Sequence, residues 1–122
     1  MKLNELLAQQ GVGVMATANR AGVVNTAIYA RPHFIDDETL AWGMTDGRTL
    51  RNVRENPHAS FLFRVGEGFS GVRLGLSLVK IEDEGALLAE IRTNAERVAG
   101  PGAGLAVNHA AYFRIEEMRS LV

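Results

Sequence analysis

The sequence predicts a mainly β fold, an antiparallel barrel with helices at its ends. Two observations carry this. Short apolar runs of strand length recur along the 122 residues and outnumber the stretches with helical periodicity. Most are joined by brief turns rich in Gly, Asn and Asp rather than by intervening helices, which disfavours a parallel βαβ sheet.

Taken in order, Leu3, Leu6 and Leu7 fall at helical spacing and Gly11 ends the pattern, so a short amphipathic helix is expected over one end of the sheet. Residues 12–18 form a buried strand, Asn19, Arg20, Ala21 and Gly22 a hairpin turn, and residues 23–30 the returning strand. A second pair follows: His33, Phe34 and Ile35, a polar turn at 36–39, then Leu40, Ala41 and Trp42, with Pro32 marking a strand end. These four strands are expected to form a meander. A short helix opened by the Asp46-Gly47 turn, with Asn56-Pro57 at its far end, precedes a strand at 59–65, a glycine-rich loop at 66–71 and an alternating strand at 72–81. Leu88, Ile91, Ala95 and Val98 share one helical face, stopped by the glycines at 100–104. The run 110–115 closes the sheet. Neither repeat nor linker divides the chain, so one domain is expected over residues 1–122.

Composition excludes several chemistries. A formal charge of −1 argues against a nucleic-acid protein working through a broad basic surface, and eleven of the thirteen basic residues are arginine, which suits forked oxyanion contacts. Without cysteine there are no disulfides, thiolate metal sites, iron–sulfur clusters or cysteine nucleophiles. His33, His58 and His109 show neither tight ligand spacing nor a base–orienter–nucleophile pattern, so no metal site and no catalytic residue is assigned. Residues 1–10 interleave Glu5 and two Gln with the leucines, unlike a secretion signal or a membrane span, and a soluble, cytoplasmic protein is expected.

Gly66, Gly68 and Gly71 match the dinucleotide G-x-G-x-x-G pattern, but that pattern needs a helix at the third glycine, and residues 72–81 alternate as a strand. A hairpin loop is expected instead. The glycines at 100–104 lack the Lys-Ser/Thr ending of a phosphate loop and are read as a helix stop followed by a turn.

The segment Thr45-Asp46-Gly47-Arg48-Thr49-Leu50-Arg51-Asn52 is the most informative. A strand ends, a turn opens a helix, and Arg48, Thr49 and Arg51 lie in its first turns, where free N–H groups and the helix dipole favour an anion. With Leu50 and Val53 facing inward, Arg48, Thr49 and Arg51 or Asn52 are expected on the other faces. The plain alternative is that Asp46 caps an exposed helix whose arginines are solvated. Asn25 and Thr26 sit within an otherwise apolar strand, either bonding across strands or meeting the polar edge of a flat ligand, with small Ala27 leaving room. Trp42 and Met44 could line the same pocket or belong to the core.

The combination of a strand with an Asn-Thr pair after a hairpin, a strand leading into a basic-Thr helix start, and Asn56-Pro57 at the far end of that helix resembles the pyridoxamine 5′-phosphate oxidase-like family. The likeness runs through nearly the whole chain and is closest to its short single-domain bacterial members. It implies the FMN-binding split β-barrel. It further implies that Arg48 and Thr49 hold the FMN phosphate, where short members often have Lys-Thr. Asn25, Thr26 and Ala27 would run beside the isoalloxazine ring, and Trp42, Gly43, Met44 and Thr45 would cover the ring and ribityl chain. Family members are usually homodimers with flavin near the subunit interface, which suits the apolar ending Leu121-Val122. The chain is shorter than a true pyridoxamine phosphate oxidase and shows no second basic cluster for a pyridoxal phosphate.

The expected activity is that of an FMN-binding redox protein that carries electrons or reduces a small acceptor, its donor and acceptor unspecified. The alternatives are an NAD(P)H-dependent flavin reductase, a non-catalytic module for another phosphorylated ligand or for haem with His33, His58 or His109 as axial candidates, and a purely structural dimerisation domain.

Overall fold

The computed structural model describes residues 2–122. Its elements are α1 (Leu3–Leu7), β1 (Gly11–Ala18), β2 (Val24–Tyr29), β3 (His33–Phe34), β4 (Thr39–Met44), α2 (Arg48–Glu55), β5 (His58–Val65), β6 (Gly71–Glu82), α3 (Ala86–Ala99), α4 (Ala103–Ala106) and β7 (His109–Ser120). The strands form one antiparallel sheet in the order β2-β1-β5-β6-β7-β4-β3. This is the expected mainly β fold, a curled split barrel.

The first four strands do not make a meander. β1–β2 and β3–β4 are separate hairpins at opposite ends of the sheet, with β5, β6 and β7 between them. Turn residues determine each hairpin locally, whereas the neighbour on the other side of β1 or β4 is chosen by pairing across forty residues or more. In the first hairpin Gly22 N–H donates to the Asn19 carbonyl and Asn19 N–H to that of Val23. Gly22 has φ +84°, a region that its lack of a Cβ makes accessible. The loop at 66–71 is a hairpin connection, with Val65 N–H donating to the Ser70 carbonyl at 2.8 Å.

The larger core lies inside the curl, where Trp42, Phe61 and Phe113 meet edge to face or tilted, with centroids 4.9 and 5.7 Å apart, among Met15, Leu40, Met44, Leu50 and Leu74. Leu7 of α1 joins it. β4 is buried on both faces: Leu40, Trp42 and Met44 point into this core, while Ala41 belongs to a smaller cluster with Leu88 and Ile91 of α3. The close approach of α3 depends on Gly43, since a Cβ there would lie 2.5 Å from Ile91 Cγ2 and 2.8 Å from Val107 Cγ1.

Three boundaries differ from expectation. Val98 is 75% exposed, so the inward face of α3 rests on Leu88 and Ile91 and its last turn extends into solvent. The segment after it contains the short helix α4, whose start is occupied by the chain itself: Gly102 and Gly104 N–H donate to the Glu96 carboxylate. β7 continues to Ser120, because its charged second half, invisible as an apolar run, is held by ladder pairing to the start of β6.

Candidate functional site

Between the free edge of β2 and the β4–α2 connection runs a groove of about 560 Å³. β2 contributes Asn25, Thr26, Ala27, Ile28 and Tyr29, followed by Ala30. The opposite wall is Gly43, Thr45, Gly47, Arg48 and Thr49. Seven of the nine residues singled out from sequence therefore converge on one groove. The other two do not line it: the side chains of Trp42 and Met44 are fully buried in the core, packed where their apolar surface leaves water.

β2 offers mainly backbone. In an antiparallel ladder the hydrogen-bonded pairs alternate, and the Asn19–Val23 bond sets the phase. Asn25, Ala27 and Tyr29 accordingly bond to β1, leaving the N–H and C=O of Val24, Thr26 and Ile28 along the free edge. The Thr26 side chain stands on the exposed face with Val24 and Ile28, which are 77% and 74% exposed.

At the other wall α2 begins. Gly47 is its N-cap, in extended conformation, and no side chain caps it. Asp46, a possible cap in the sequence, turns away. Arg48 and Arg51 are exposed as expected, but Thr49 and Asn52 are buried, at 6% and 5% exposure. They are polar residues that packing against β1 and β2 encloses rather than outward ones. Asn52 Nδ2 donates to Thr17 Oγ1 at 3.0 Å, fastening α2 to β1. Thr49 lies by the Tyr29 phenol, which burial pushes upward in pKa while the Thr49 side chain pulls it partly back.

Sequence reasoning missed the cluster behind this wall. Thr45 and Gly47 line the groove, yet the Asp46 side chain between them points to β7: Asn108 Nδ2 donates to Oδ2 at 2.9 Å and His109 Nε2 lies 2.6 Å from Oδ1. His109 Nδ1 meets Asp83 Oδ1, also at 2.6 Å. Burial lowers the His109 pKa, but the two carboxylates more than offset this and it ends raised; His109 in turn, with Asn108, holds Asp46 below the usual carboxylate range. The partners lie 26 to 63 residues apart, so only the β4–β7 pairing, with Met44 opposite His109, could have revealed them. With both ring nitrogens engaged, His109 has no free ligand position. His58 is exposed at the start of β5, and His33 borders a second hollow of about 870 Å³ that continues from the groove past Tyr29, Ala30 and Gly43.

Comparison with known proteins gives one family and one fold shared by many solved structures. The family model described as pyridoxamine 5′-phosphate oxidase matches residues 1–118. No curated protein matches. Among solved structures, an FMN-binding protein from Syntrophomonas wolfei subsp. wolfei superposes with a TM-score of 0.87 at 18% identity, covering 99% of this chain and 84% of that one. HupZ of Group A Streptococcus gives 0.79 at 22% identity, covering 99% and 94%. An F420 reductase gives 0.73 at 18% identity, covering 95% and 94%. At such identities the likeness is one of fold.

Proposed function

The chain belongs to the pyridoxamine 5′-phosphate oxidase family, and from that premise we propose that it is an FMN-binding redox protein, carrying electrons or reducing a small acceptor. The observation that carries this reading is the convergence of Asn25, Thr26, Ala27, Gly43, Thr45, Arg48 and Thr49 on one groove with an uncapped helix start at one end and a free strand edge along its side. The fold shared with an FMN-binding protein supports it.

Arg48 and the first N–H groups of α2 would hold the phosphate, a combination of guanidinium and helix terminus suited to a dianion. Thr49, largely buried, would contribute chiefly its backbone. Along β2, the free N–H and C=O of Thr26 and Ile28 match the alternating donors and acceptors on the polar edge of an isoalloxazine ring, and Ala27 keeps the strand slim. Gly43 and Thr45 would border the ribityl chain, with Trp42 and Met44 supporting that wall from within. Bound flavin supplies the electron chemistry, and hydrogen bonds to the ring tune its potential. We assign the groove's open side to a second copy of the chain: Val23, Val24 and Ile28 form an exposed apolar strip beside it.

Fluorescence titration with FMN and with riboflavin tests the reading. Tight binding of FMN with clearly weaker binding of riboflavin is expected, since only FMN engages Arg48 and α2. Equal affinities would remove the phosphate seat, and no binding of either would remove the flavin.

A further inference from the structure

Asp46 is the one carboxylate in the loop that forms the proposed phosphate seat, and its neighbours on both sides line the groove while it does not. Left to rotate, it would place a negative charge beside the anion. We propose that His109 and Asn108 are positioning residues for this site: they hold Asp46 turned out of the groove, and the protonation of His109 sets how tightly the groove takes a phosphate monoester. This deepens the flavin reading and rests on it only for what carries the phosphate.

The geometry requires a particular charge state. Asp46 and Asp83 each approach a different ring nitrogen of His109 at 2.6 Å, and carboxylates only accept, so both nitrogens donate and the ring is cationic. In that state the three groups carry one net negative charge. Loss of the proton leaves two, directly behind Gly47 and Arg48, and turns a lone pair toward one of the carboxylates. Asn108 keeps its own bond to Asp46 and is itself braced by Arg92 of α3, whose Nε donates to the Val107 carbonyl at 2.7 Å and whose Nη2 reaches Asn108 Oδ1 at 3.3 Å. The carboxylate freed first is therefore Asp83, and the added charge is felt through Asp46.

Other charged groups flank the cluster. Arg54 of α2 acts on Asp46 as a fixed cation, and Glu82 pairs with Lys80 while accepting from Tyr112, whose phenol burial and Glu82 push up to about 12. The phosphate's own second ionisation, near about pH 6, favours binding as pH rises. A fall in affinity as pH rises thus has the sign of His109 and not of the ligand.

The test is the affinity for FMN and riboflavin between pH 6 and 8.5, on the full chain and on Asp46→Asn and His109→Gln. For the unsubstituted protein, FMN affinity should fall about threefold or more as His109 deprotonates, the scale of one added charge near a dianion across screened solvent. Riboflavin affinity should stay level. Asp46→Asn should remove the fall and bind FMN at least as well at high pH; His109→Gln should bind weakly and show no fall, only the rise that the phosphate's own ionisation brings. A fall of equal size in Asp46→Asn, or an equal fall for riboflavin, would overturn the proposal, and Asp46 is exposed, so this variant has no core to disturb. If FMN fails to bind at any pH, the flavin reading is lost, and inorganic phosphate followed by the amide shifts of Gly47 and Arg48 decides the rest. Phosphate binding with the same fall retains the proposal, and no phosphate binding overturns it.

Discussion

The indole Nε1 of Trp42 donates to the carbonyl of Ala30 at 2.9 Å, joining the inner face of β4 to the residue that follows β2. These two strands are not paired in the sheet, and the groove opens between them. One side chain thus fills the aromatic core and sets how far the barrel is split.

Trp42→Phe should therefore destabilise the fold by about 1–3 kcal/mol, from the lost hydrogen bond and the smaller ring. Urea denaturation reads this directly. An unchanged midpoint would mean that neither the bond to Ala30 nor the larger ring contributes to stability.

Thr17→Val removes the acceptor for the Asn52 amide, a bond buried between β1 and α2. Leaving that amide unpaired should cost about 1–3 kcal/mol, although the two side chains have the same shape. The double variant with Asn52→Leu should recover part of the loss, which a double-mutant cycle would show.

Arg48→Ala, at an exposed position on the groove, should leave stability within surface-scale limits and weaken FMN by about 1.5–3 kcal/mol, with riboflavin unaffected. Parallel titrations of the two ligands separate this from a general loss of the groove.

Stability without ligand should depend on pH through the same cluster that faces the groove wall. The folded pKa of His109 is raised, so its contribution is complete below its unfolded value of about 6.5 and disappears as pH rises through the folded value. Asp46 is lowered, so its contribution is present above about 3.9 and disappears as pH falls through its folded value. Together they favour the window between those limits. Thermal melts from pH 5 to 9 should show a decline on the alkaline side that His109→Gln lacks.

Much of this architecture is local and was legible. The Asn19–Gly22 turn, the alternation of β6 and the Gly47-Arg48-Thr49 helix start are each written in adjacent residues, and seven of the residues singled out there line one groove. What was not legible is non-local. The sheet order depends on β1 choosing β5 and β4 choosing β7. Thr49 and Asn52 look like surface residues until β1 and β2 close over them, and Trp42 and Met44 alternate into a core that sequence spacing could not orient. The charged half of β7 carries no apolar pattern because it is a ribbon in solvent, held by its ladder.

The most direct test of flavin binding is the visible absorption spectrum of the purified protein, recorded as isolated and again after incubation with FMN and removal of the excess. The account predicts a bound flavin spectrum that dithionite bleaches, at about one FMN for each groove. A protein that stays colourless after exposure to FMN would leave the split barrel intact and contradict its reading as a flavoprotein.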